Sequence, residues 1–304
     1  MGEKTRGSNK SERNINNRNS NKPTSDRNNK YNTNDKNNRF NENEKNNVDN
    51  VAEREVNLEE REDIIIGRNA VIEALKTDRT IETLYLSNSK LEGSINTIIT
   101  LAKENKILIK EVDRRKLDSI CNGAVHQGVI AKVTPYKYAE VSEILDLAKQ
   151  RGEKPFIIIL DEVEDPHNLG SIVRTAELFG VHGVIIPKRR SASISAMVYK
   201  SSVGAIEHVK VAKVTNLNSV IDDLKEKGIW IYGADIRAEE YSYQTDFSGS
   251  CALVIGNEGK GISKLTLQKC DKLIKIPMVG KINSLNASVA GGIMMYEVLK
   301  GRLK

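Results

Sequence analysis

The chain has 304 residues, 47 of them Lys or Arg and 41 Asp or Glu, for a formal net charge of +6. That length accommodates two domains. No apolar run approaches a membrane span, and three scattered cysteines with four scattered histidines leave no disulfide framework and no metal-ligand spacing, so the expectation is a metal-free cytoplasmic protein.

From Met1 to Asp63, thirteen basic and thirteen acidic side chains cancel, so the positive excess lies on Ile64–Lys304. Asn dominates the first fifty residues, whose only sizeable apolar side chains after Met1 are Ile15, Tyr31, Phe40 and Val48. Such a segment buries too little apolar surface to offset the entropy of ordering, which predicts a disordered, solvated tail over residues 1–63. The residues at the start carry no apolar core behind their charges, so no signal peptide is expected. Net positive charge on the remainder is compatible with an RNA partner, although many soluble proteins are as basic.

Residues 64–135 alternate in type. Asn69–Leu75 reads as a helix, Ile81–Leu86 as a strand, Leu91–Glu104 as a helix, Ile107–Val112 as a strand, Arg114–Ile120 as a helix and Val129–Val133 as a strand. This makes a small α/β unit. A mainly polar helical stretch, Val141–Lys149, lies in the linker assigned to residues 136–154, and a second unit occupies residues 155–304. It opens with Phe156-Ile-Ile-Ile-Leu160, a continuous apolar run suited to a strand buried on both faces. Further strands are expected at Gly183–Ile186, His208–Val211, Ile229–Ala234, Ala252–Ile255 and Leu273–Ile276. Helices are expected between them at Leu169–Phe179, Ser195–Val203 and Leu217–Lys227, and after them at Ala287–Leu299. The alternation predicts an α/β fold with a mostly parallel sheet covered on both faces.

Three polar turns in this second unit follow apolar strands, where ligands bind in open α/β sheets. The first is Asp165-Pro-His-Asn-Leu-Gly-Ser-Ile-Val-Arg-Thr175. Asn168 reads either as the N-cap of the next helix or as a ligand group, and Arg174 either as a solvated residue or as a bidentate phosphate fork. In the second, Gly256-Asn-Glu-Gly-Lys-Gly261, the glycines would let a ligand approach the backbone and expose amide N–H groups. Its spacing fits neither a P-loop nor a dinucleotide fingerprint, and a plain tight turn with a solvated Glu258 is the bland alternative. In the third, Ile276-Pro-Met-Val-Gly-Lys-Ile-Asn-Ser-Leu-Asn-Ala-Ser288, Ser284 and Asn286 can cap a helix, and with Leu285 they also suit an adenine. Gly291-Gly292 inside that helix points to close packing against a neighbour.

Taken in this order, the three motifs resemble the signature motifs of the SpoU (TrmH) branch of the SPOUT RNA methyltransferases. His126-Gln-Gly128 and the flanking sequence narrow the resemblance to the RlmB type, which methylates a guanosine ribose 2′-hydroxyl in 23S ribosomal RNA. The resemblance implies S-adenosylmethionine as cofactor, a ribosomal-protein-like RNA-binding domain, a deep trefoil knot in the catalytic domain, and a homodimer joined through the last helix. It implies active-site roles for Asn168, Arg174, Glu258, Ser284 and Asn286, and cofactor contacts from the backbone around Gly256, Ile276 and Leu285. Guanidinium titrates above about 12, so Arg174 suits phosphate clamping and alkoxide stabilisation better than proton abstraction, and Glu258 is the candidate carboxylate.

Overall fold

The computed structural model describes Leu58 and residues 60–89, 93–282 and 284–303. The expected tail therefore lies outside the described residues, apart from its last few positions. Those are built in: Arg61 O accepts from Ala196 N at 2.6 Å, and Asp63 O accepts from Val133 N at 2.9 Å.

The first unit runs β1 (Ile64–Ile66), α1 (Arg68–Lys76), β2 (Ile81–Ser87), α2 (Ile95–Glu104), β3 (Leu108–Val112), α3 (Arg114–Ile120) and β4 (Val129–Val133). Its sheet has the order β1-β4-β2-β3, with β4 antiparallel to both neighbours and β2 parallel to β3. The three isoleucines of β1 are too short a run to signal a strand alone. Pairing with β4 makes them one, and all three are buried.

The second unit continues with α4 (Val141–Arg151), β5 (Phe156–Leu160), α5 (Pro166–Leu178), β6 (Gly183–Pro187), α6 (Ala196–Ser202), β7 (Lys210–Val214) and α7 (Leu217–Glu226). There follow β8 (Trp230–Ala234), β9 (Glu240–Tyr241), β10 (Cys251–Ile255), α8 (Lys264–Lys269), β11 (Lys272–Lys275) and α9 (Ala287–Arg302). The sheet order is β7-β6-β5-β10-β8-β11-β9, and every pairing between described strands is parallel.

β5 and β10 lie side by side at the centre, in register from Cys251–Phe156 to Ile255–Leu160, with all ten residues buried. Successive side chains point to opposite faces. Ile158, Leu160, Leu253 and Ile255 join the core that holds Ile172 of α5 and Met294 of α9, whereas Ile157, Ile159, Ala252 and Val254 join one that holds Ile221 and Leu224 of α7. The helix of residues 136–154 belongs to that second core through the fully buried Ile144, whose side chain fills the space a Cβ on Gly183 would need. Between β5 and β10 the strand order switches, since β5 is followed in the chain by β6 on one side and meets β10 on the other. The crevice beyond their carboxyl ends is the ligand position of such sheets.

Candidate functional site

At the start of α5 the cap is Asp165, whose Oδ1 accepts from His167 N at 2.8 Å, and Pro166 occupies the first helical position. Asn168 is thus inside the first turn and not the cap, so its amide is free to face other elements. It is buried, and it bridges the other two motifs. Asn168 Oδ1 accepts from Asn286 Nδ2 at 2.8 Å, and Asn168 Nδ2 donates to Glu258 Oε1. Its amide orientation follows from the partners, because an ionised carboxylate can only accept. Asn286 is itself the N-cap of α9, with Oδ1 accepting from Ser288 N at 3.0 Å and Val289 N at 3.3 Å. One side-chain chain, Glu258–Asn168–Asn286, therefore ties the carboxyl ends of β10 and β5 to the start of α9.

The loop Gly256–Gly261 departs from the expectation that its amides would be open to a ligand. Asn257 Oδ1 accepts from Gly259 N at 2.9 Å and Lys260 N at 3.1 Å, and Asn257 and Gly261 exchange two backbone hydrogen bonds. A Cβ on Gly256 would lie 2.3 Å from Gly261 C and Ile262 N, so this glycine lets the loop close on itself. Asn257 Nδ2 also donates to Glu162 O at 3.1 Å, anchoring the loop to the turn after β5.

Beside this loop lies a cavity of about 380 Å³, bounded by Ile255, Gly256, Glu258, Ser284, Leu285 and Ala287, and on the β8 side by Asp235 and Arg237. Asp235 accepts from Arg237 through both carboxylate oxygens, at 2.8 and 2.6 Å, and those bonds hold its carboxyl below the usual range. Asp235 and Arg237 belong to none of the three sequence motifs. The rule that located the other motifs would have found them, since they directly follow the apolar run Ile229–Ala234. Ser284, Leu285, Gly256 and Glu258 thus share one cavity, and Asn168 and Asn286 are bonded to it through Glu258. Arg174 stands apart. It is exposed on α5, does not line the cavity, and its guanidinium has no ion-pair or hydrogen-bond partner among the described residues. Ile276 is half-buried against the main core, one residue beyond β11, and also does not line the cavity. No group of three or more His, Cys, Asp or Glu side chains suited to a metal occurs among the described residues.

A second cavity, of about 460 Å³, opens in the first unit between Arg68, Ser87, Ser89, Arg114 and the His126–Gly128 turn. His126 is buried, with Nδ1 accepting from Gly128 N at 3.0 Å and Nε2 facing Asp118 Oδ1 at 3.1 Å. Gln127, at φ 54°, accepts through its side chain from Arg68 N at 2.8 Å. The His-Gln-Gly triplet therefore shapes a wall against α1, and Arg68, Arg114, Ser87 and Ser89 line the rest.

A profile of the SpoU rRNA Methylase family matches residues 155–296, and one described as RNA 2′-O ribose methyltransferase substrate binding matches residues 64–139. The Bacillus subtilis protein YacO, provisionally named a TrmH family tRNA/rRNA methyltransferase, is 49% identical over 245 residues, which is 81% of this chain and 98% of its own. A Staphylococcus haemolyticus protein with the same family name is 48% identical, covering 79% of this chain and 96% of its own. Among solved structures, the SpoU methyltransferase AviRb from Streptomyces viridochromogenes superposes with a TM-score of 0.68 at 22% identity, covering 79% of this chain and 89% of that one. AviRb in complex with AdoMet gives a TM-score of 0.67 at 23% identity, over 79% and 90% of the two chains. The α/β fold is therefore that of the SpoU methyltransferase structures, a substrate-binding unit followed by a catalytic one, and the chain belongs to the SpoU/TrmH family of RNA methyltransferases.

Proposed function

We propose that this protein transfers a methyl group from S-adenosylmethionine to the ribose 2′-hydroxyl of a guanosine in 23S ribosomal RNA, working as a cytoplasmic homodimer. The observation that carries this reading is the Glu258–Asn168–Asn286 chain at the rim of the 380 Å³ cavity. The cavity suits the cofactor, since its volume falls in the roughly 300–1,000 Å³ range of small-molecule sites. Ile255, Leu285 and Ala287 offer apolar surface for an adenine, and Arg237, held by the Asp235 carboxylate, borders it. Bound there, the cofactor would supply an electrophilic methyl group.

The protein's own groups do the rest. One oxygen of Glu258 is occupied by the Asn168 amide, while the other has no partner among the described residues and is available to accept the proton of the attacking 2′-hydroxyl. Asn168 fixes that carboxylate and is fixed in turn by Asn286, which supplies the positioning that the reaction needs. Arg174, exposed and without a side-chain partner among the described residues, clamps a phosphate next to the target and stabilises negative charge on the 2′-oxygen. The 460 Å³ cavity of the first unit, with Arg68 and Arg114 at its mouth, supports an RNA contact remote from the transfer site.

A labelled-methyl transfer assay on deproteinised 23S ribosomal RNA and on bulk tRNA tests the substrate. Label is expected on guanosine ribose of the ribosomal RNA, and Arg174→Ala should leave less than about a tenth of the turnover. Label confined to tRNA would move the substrate, and a fully active Arg174→Ala variant would remove that residue from the site. The homodimer is supported by apolar side chains left uncovered on α5 and α9, where Leu178 is 67% and Tyr296 51% exposed, with Tyr296 6.3 Å from Phe179. Gly291 and Gly292 also pack on Ile172, Thr175 and Ile255 of the same chain. Light scattering should give a dimer at micromolar concentration and a monomer for Tyr296→Glu, and an active wild-type monomer would end this part of the reading.

A further inference from the structure

The strand order places β6 on the side of β5 away from the cofactor cavity, and the chain leaving its carboxyl end reads Lys188-Arg189-Arg190. All three are exposed, and among the described residues neither the Lys188 nor the Arg189 side chain has a hydrogen-bond or ion-pair partner. Arg190 is held, with Nη1 donating to Glu162 Oε1 at 2.8 Å. Because Glu162 O accepts from Asn257 Nδ2, the basic turn is fastened to the loop that carries Glu258. Arg190 and Glu162 are also both non-glycine residues in the left-handed region, at φ 55° and 57°. An exposed ion pair is too weak to offset two such conformations, so the shape of this turn does not serve stability. Lys260, in the Glu258 loop itself, is a further exposed cation without a partner among the described residues. Beyond Ser191 the charge reverses: Glu60, Glu62 and Glu164 wall a depression with Ser191 and Ser193.

We propose that Lys188 and Arg189 form a phosphate-binding strip that seats the RNA strand on the side of the target nucleotide opposite the cofactor, with the three glutamates bounding it. The proposal rests on the RNA methyltransferase reading above and assigns the path of the strand within it. Two exposed cations on a turn braced against the catalytic loop give electrostatic register to a polyanion without reading its sequence. Arg190 acts as the brace, since its guanidinium is engaged by Glu162.

The test uses the full-length protein with Lys188→Glu and Arg189→Glu combined, and a milder Lys188→Gln and Arg189→Gln pair. KM for the ribosomal RNA should rise roughly tenfold in the reversed variant and less in the neutral one. The logarithmic salt dependence of binding should become shallower by about one to two. Turnover at saturating RNA should stay within about twofold of wild type, because neither residue touches the Glu258–Asn168–Asn286 chain, and calorimetric affinity for S-adenosylmethionine should not change. Lys227→Glu, just before the amino end of β8 and so at the opposite end of the parallel strands from this turn, serves as the control and should leave KM nearly unaltered. An unchanged KM and salt slope in the reversed variant would overturn the strip, as would an equal effect from Lys227→Glu. A wild-type protein that methylates no RNA would instead overturn the reading on which the strip rests.

Discussion

Replacing Asn168 and Asn286 by alanine, singly and together, probes whether the three motifs act as one unit. Asn168→Ala removes two hydrogen bonds at once, the 2.8 Å bond from Asn286 and the one to Glu258. The first is a neutral bond worth about 1 kcal/mol and the second involves a carboxylate, about 1.5–3 kcal/mol, with the lower end apt because Glu258 is only half-buried. A loss of about 2–3 kcal/mol is expected. Asn286→Ala loses the same shared bond and, in addition, the α9 cap, about 1 kcal/mol each, for about 2 kcal/mol. In the double variant the shared bond is lost only once, so the sum should fall short of additivity by about 1 kcal/mol. Urea denaturation of the four proteins measures the stability cycle, and single-turnover methyl transfer measures the catalytic one. The catalytic losses should be still less additive, since Glu258 is released from its position by the first substitution alone, at a cost of roughly a hundredfold in rate. Strict additivity within about 0.3 kcal/mol in both cycles would refute the coupling.

Two other substitutions separate scaffold from chemistry. Gly256→Ala places a methyl group 2.3 Å from backbone atoms of Gly261 and Ile262, which cannot rotate away. The Gly256–Gly261 loop should open at a cost of about 1–3 kcal/mol, and calorimetry should show at least about tenfold weaker cofactor binding, whereas unchanged affinity and unchanged melting would contradict the packing role. His182 is buried, with Nδ1 accepting from Phe156 N at 3.0 Å, and burial lowers its proton affinity below the ordinary imidazole value of 6.5. Its neutral form therefore stabilises the fold fully above that pH, and the contribution is lost as pH falls through the lowered folded value, because the unfolded chain binds the proton first. Denaturation midpoints from pH 7.5 down to 5 should decline in the wild type and decline less in His182→Asn; identical slopes would remove His182 as the cause.

The alternation of strands and helices was readable because the central strands are continuous apolar runs. Phe156–Leu160 and Cys251–Ile255 bury every residue, and no solvated face interrupts the pattern. What the pattern could not carry was anything shorter than a period. Ile64–Ile66 and Glu240–Tyr241 become strands only because β4 and β11 are there to pair with them, a tertiary fact absent from the local sequence. The start of α5 was misplaced for a related reason. Asn168 and Asp165 are both good caps, and only the Pro166 ring and the placement of Asn168 toward Glu258 and Asn286 decide between them. The bonds that join the motifs span 90 and 118 residues of chain, and no spacing rule reaches that far.

The glycines show why motif and mechanism had to be separated by structure. In the first two motifs a glycine lies two residues from a polar site residue, Gly170 from Asn168 and Gly256 from Glu258, which invites a single explanation, a ligand close to bare backbone. The structure divides the work. A Cβ on Gly170 would lie 1.9 Å from Ser201 Oγ of α6 and one on Gly256 would meet its own loop, whereas one on Gly291 would make only ordinary contact, 3.6 Å from Ile172 and 3.8 Å from Ile255. Gly170 and Gly256 each permit an approach between two parts of this chain, and each approach sets where a nearby polar side chain ends up: Asn168 on α5 against α6, and Glu258 in the closed loop. In these two motifs the glycine and the polar residue are therefore one geometric constraint read twice. A substitution at Gly170 or Gly256 should damage the site as surely as one at Asn168 or Glu258, through displacement and not through lost contact with a ligand.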